Sequence, residues 1–118
     1  MPSAEGIVAR AIAEAGSSQF GPAPFGLGLQ RTLEAFARLP LRPEVRDSLH
    51  ERLVQDLVNR LKIEQWCADH PEIEKQKIEG PFLICGLPRT GSTATAGLLA
   101  LDPGLRFLRG WEASSPVP

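Results

Sequence analysis

The chain has 118 residues, 42% of them hydrophobic and 23% charged, with a formal net charge of -1. That length accommodates one small domain with a modest core and is short for two. A near-neutral charge with no long basic run argues against a general nucleic-acid binder, so any anion site has to be local.

The N-terminal stretch "MPSAEGIVARAIAEAG" carries Glu5, Arg10 and Glu14 and so lacks the unbroken apolar centre of a signal peptide. No later segment approaches transmembrane length, and a cytoplasmic location is the expectation. Within this stretch Ile7, Val8, Ala11, Ile12 and Ala15 recur at helical spacing, and Gly16 stands where a helix-ending glycine belongs. The glycine- and proline-rich "SSQFGPAPFGLG" reads as loop. A second helix fits "LQRTLEAFARL", with Leu29, Leu33, Phe36 and Ala37 on one face and Pro40 ending it.

The third helix starts at Pro43 and Glu44, both suited to a first turn. Val45, Leu49, Leu53, Leu57 and Leu61 follow at steps of four, Val54 and Val58 widen the stripe, and Pro71 stops it after "WCADH". "PEIEKQKIEG" is a polar connection with room for one more helical turn. His50 and His70 have no metal-ligand spacing with Cys67 or with acidic residues, and no metal is assigned. His70 suits a helix end, and Trp66 reads as a packing residue. Cys67 and Cys85 have no pairing motif and are expected to be small buried hydrophobes.

Beyond Gly80 the period changes. "FLIC" is a short continuous apolar run of the kind that forms a parallel strand buried on both faces. "STATAGLLAL" reads as a helix ended by "DPG", "LRFL" as a second strand, and "GWEASSPVP" as a loop in which Trp111 packs. The expected fold is therefore α/β: a helical region over residues 1–79, then over residues 80–118 one β-loop-α-β unit of a parallel sheet.

"GLPRTGST" between strand and helix has the glycine spacing of a Walker A loop, with Gly86 and Gly91 five apart, but Ser92 stands where the lysine belongs. That lysine reaches the β- and γ-phosphates of a nucleoside triphosphate, so its absence points to a shorter anion. Arg89 supplies the charge, and its planar fork can hold two oxygens of one phosphate. Ser92 and Thr93 add hydroxyls at the positive end of a helix dipole, and Gly91 permits close backbone approach. Such a loop suits a single 5′-phosphate bearing a small group.

"GLPRTGST", the following "LLALDP" and the "WE" pair resemble the bacterial sulfotransferase family related to the tyrosylprotein sulfotransferases. The segment "NRLKIEQWCADHPEIEKQKIEGP" and the final "PVP" are similar to that family too, while Ala94 and Thr95 depart from its bulkier residues. The resemblance implies a P-loop NTPase-like sulfotransferase fold, of which this chain corresponds to the N-terminal portion. It implies that Leu87, Pro88, Arg89, Thr90, Gly91, Ser92 and Thr93 contact 3′-phosphoadenosine 5′-phosphosulfate (PAPS), the sulfate donor. It also implies catalytic roles for Arg89, at the leaving phosphate, and for Glu112, as the base that takes the acceptor's proton. The acceptor would be a carbohydrate, lipid, peptide or small metabolite with a hydroxyl or amine. The family's 3′-phosphate and acceptor elements fall beyond the matching portion, which puts activity of this length of chain in question. Two other readings stay open from the residues: a kinase or NTPase segment with a variant loop, and a helical interaction module whose loop is structural.

Overall fold

The computed structural model describes residues 3–117. The first helix, α1 (Ala4–Ala15), opens where the Ser3 hydroxyl accepts a hydrogen bond from the Gly6 amide at 3.1 Å. It closes at Gly16, whose left-handed backbone (φ 69) lets its amide reach the Ile12 carbonyl. Helix α2 (Gly26–Arg38) begins three residues ahead of its apolar pattern and stops short of Pro40. Helix α3 (Pro43–Asp69) has proline in its first turn and ends at His70, followed by a 3-10 turn over Pro71–Lys75.

The core lies among these three helices. Ile7 and Ala11 from α1, Leu29 from α2, and Val54, Leu57, Val58 and Leu61 from α3 are all buried. Each large aliphatic side chain removed from water contributes about 1.5–3 kcal/mol. The buried line on α3 differs from the expected one, because Val45 stays exposed and His50 joins the interior, near the Phe36 ring. Steps of four overshoot the helical repeat, so four of them turn the line by about 160°. The contact line instead mixes steps of three and four.

Arg60 on α3 secures the loop between α1 and α2. Its guanidinium donates to the Phe20 carbonyl at 2.6 Å and to the Ala23 carbonyl, and it lies 5.0 Å from the centre of the Phe25 ring. Gly21 takes φ 72 in that loop and packs directly on the Glu64 carboxylate, so this turn admits no side chain.

The second half departs from the expected α/β fold. Among the described residues there is no strand; beyond the 3-10 turn the only regular elements are α4 (Ser92–Leu99) and α5 (Gly110–Ser114). The "FLIC" and "LRFL" runs, expected as parallel strands, form no strand or bridge, with Phe82, Leu83, Phe107 and Leu108 at least half exposed. The physical reason is the small number of partners. Two short strands make a marginal sheet, and here no helical layer covers either face. Cys85, expected inside, is exposed with the rest of "FLIC", while Cys67 is half-buried; both are free thiols. Trp111 is 65% exposed and does not pack, whereas Trp66 stacks on His70 with ring centres 4.0 Å apart. No helix of the described residues is long and apolar enough to cross a membrane.

Candidate anion-binding loop

The loop forms its turn without a sheet behind it. Arg89 has φ 64 and Gly91 φ 87, placing left-handed residues on either side of Thr90. Arg89 is the only non-glycine residue with positive φ among those described, a conformation that strains any side chain with a Cβ. Thr90 Oγ1 closes the turn by donating to the Leu87 carbonyl at 2.7 Å. A Cβ on Gly86 would sit 2.9 Å from that hydroxyl, so the turn requires bare backbone at this point.

Gly91 then caps α4. Its carbonyl accepts from the Thr95 amide at 2.9 Å and the Thr95 hydroxyl at 3.1 Å. The amides of Ser92, Thr93 and Ala94 come before this first intrahelical bond and are donors without a helical acceptor. Left-handed residues within a tight turn gather successive amides into a concavity that favours anions, and the helix dipole adds to it. The Arg89 side chain is exposed and makes no ion pair among the described residues. The stretch from Gly86 to Thr95 contains one charged residue, and it is positive. Leu87, Pro88, Arg89, Thr90, Gly91, Ser92 and Thr93 thus belong to one continuous turn, solvent-facing except for the half-buried Ser92.

Glu112 occupies a different site. "GWEAS", expected as loop, is α5, and Glu112 is its third residue. One carboxylate oxygen accepts from the Arg109 amide at 2.8 Å, at the N-terminal end of α5, and the other from the Arg106 guanidinium at 2.8 Å. Leu105, Arg106, Phe107, Arg109, Trp111 and Glu112 line a shallow cleft of about 300 Å³. No Ser, Thr, Asp or Asn stands at the N-cap position, where Arg109 offers only its backbone amide to Glu112, which is why this helix was missed. Arg106 was missed with it, since the pairing depends on the turn between positions 106 and 112. No hydrogen bond or ion pair among the described residues joins Arg89 to Glu112. A larger cleft, about 390 Å³, lies against α3 between Ala15, Trp66 and the C-terminal residues, away from the loop.

Among the described residues no group of three or more His, Cys, Asp or Glu is placed to hold a metal ion. Comparison with family models, with curated proteins and with solved structures finds no match for this chain.

Proposed function

We propose that the turn from Gly86 to Thr93 is a 5′-phosphosulfate-binding loop, and that the chain carries the donor-binding part of a PAPS-dependent sulfotransferase. The observation that carries this reading is the pair of left-handed residues at positions 89 and 91, opening directly into α4. It collects backbone donors beside a guanidinium that makes no ion pair among the described residues. In this reading the Arg89 fork, the Ser92 and Thr93 hydroxyls and their amides hold the phosphate. The bound donor supplies an activated sulfuryl group: the acceptor oxygen or nitrogen bonds to sulfur, the sulfur–oxygen bond to the 5′-phosphate breaks, and adenosine 3′,5′-bisphosphate leaves. Glu112 is assigned as the base for the acceptor's proton. It is paired with Arg106, whose side chain is 76% exposed, so exchange of that bridge for solvent is the step that frees a carboxylate oxygen.

Calorimetric titration of the chain with adenosine 3′,5′-bisphosphate and with ATP tests the proposal. The bisphosphate should bind, Arg89→Ala should weaken it by roughly ten- to a hundredfold, and Arg89→Lys should restore only part of the loss. Preference for ATP would transfer the loop to the kinase or NTPase reading. Failure to bind either nucleotide would leave it a structural turn in a helical interaction module.

A further inference from the structure

Helix α5 has five residues, too few to persist in water on its own amides. Its N-terminal end is closed by Glu112. At its other end, Ser114 is the last helical residue, and its carbonyl belongs to the set left without an intrahelical donor. That carbonyl accepts a hydrogen bond from the Asn59 side-chain amide of α3 at 3.1 Å, across 55 positions of sequence. Apart from the Gln76 amide, which closes the 3-10 turn on the Ile73 carbonyl, this is among the described residues the one hydrogen bond between the helical core, residues 3–75, and everything after it.

The Asn59 side chain is itself oriented. Gln55, one turn earlier on α3, donates to Asn59 Oδ1 at 3.4 Å, which leaves Nδ2 as the group facing Ser114. Beyond Ser114 the chain continues along α3. Ser115, Pro116 and Val117 form one wall of the larger cleft, opposite Trp66 and Leu61. Val117 is half-buried there, in contrast with the exposed apolar residues between positions 78 and 111.

We propose that Asn59 is a positioning residue: it caps α5 from α3 and thereby fixes the Trp111–Glu112 pair against the helical core. Its importance for catalysis rests on the reading of Glu112 as the base; the clamp itself does not. Asn59→Asp is the discriminating variant. The carboxylate keeps the shape and still accepts from Gln55, but it has no hydrogen to donate and faces the Ser114 carbonyl with a negative charge. Asn59→Gln retains the donor on a longer stem and serves as the rescue.

Amide exchange and ¹⁵N relaxation of the full chain provide the readout. The reporters are the Ala113 and Ser115 amides, which donate to the Arg109 and Trp111 carbonyls at 3.1 and 2.9 Å. In Asn59→Asp these amides should exchange about tenfold faster, and order parameters over residues 110–117 should fall below about 0.6. Amides at Val58 and Leu61 should stay as protected as before, and Asn59→Gln should recover at least part of the order. Unchanged exchange at Ala113 and Ser115 would overturn the proposal. So would an equal loss of protection at Val58 and Leu61, since Asn59 would then be supporting α3 itself. Neither reporter involves donor or acceptor, so failure of the clamp is distinct from failure of the sulfuryl-transfer reading.

Discussion

The Glu112 carboxylate accepts from the Arg109 amide and pairs with Arg106, and a single substitution separates that structural role from the proposed one as base. Glu112→Gln preserves the side-chain length, and its amide oxygen can still accept from the Arg109 amide. It cannot take a proton from an acceptor. On the proposed reading, in an assay of sulfuryl transfer by a complete enzyme containing this chain, turnover should therefore fall by about 10²–10⁴-fold while affinity for the bisphosphate stays within about twofold of the parent. Retained turnover would reduce Glu112 to a helix cap. On the same reading the Arg89 substitutions described above probe the leaving phosphate, so the two sets should affect different kinetic constants.

Between elements, the link most exposed to solution conditions joins α1 to α3. The Arg10 guanidinium holds both oxygens of Glu51, at 2.7 and 3.1 Å, and also reaches Glu14 at 3.0 Å. These hydrogen bonds hold the Glu51 carboxyl below its ordinary value. A lowered folded-state value means that the pair stabilises the fold above the usual carboxylate range and is lost as pH falls through the folded value. The pair is solvent-exposed, so its contribution is modest and screened by salt. Melting followed by circular dichroism should show a steeper loss of Tm between neutral pH and about pH 3 for the parent than for Glu51→Gln, with the gap closing in about 1 M salt. Parallel curves would show that the bridge contributes nothing.

The helices of the first half were legible because their signals are local: an apolar stripe, a glycine stop after Ala15, and prolines at positions 43 and 71. The turn from Gly86 to Thr93 was legible for the same reason. The strands were not, since pairing depends on partners that no pattern within "FLIC" or "LRFL" can guarantee. The Arg60 and Asn59 anchors were hidden on a face of α3 that reads as solvated, and only the path of the folded chain reveals what each one holds.

At the scale of the molecule, the radius of gyration of 17.2 Å exceeds the roughly 13.5 Å of a compact chain of this length. The excess reflects residues 76–109, which carry large exposed apolar side chains and no buried ones. Brief treatment with chymotrypsin should therefore cut first at sites such as Phe82, Leu83 and Leu101, leaving a resistant helical piece that ends near Phe82. Equal cleavage across the chain, or first cuts within α3, would contradict this division.

Helix α3 is the common partner of most of what packs: α1 along its length, α2 where Phe36 approaches His50, the Phe20–Phe25 loop through Arg60, and α5 through Asn59. Synthesis from the N-terminus therefore produces α1 and α2 well before the surface they need. Until Leu61 has left the ribosome, Ile7 and Ala11 have no interior to enter, and the first forty residues emerge as open amphipathic segments. The helical core should consequently assemble in one step once α3 has emerged, with the α5 segment docking afterwards onto that scaffold.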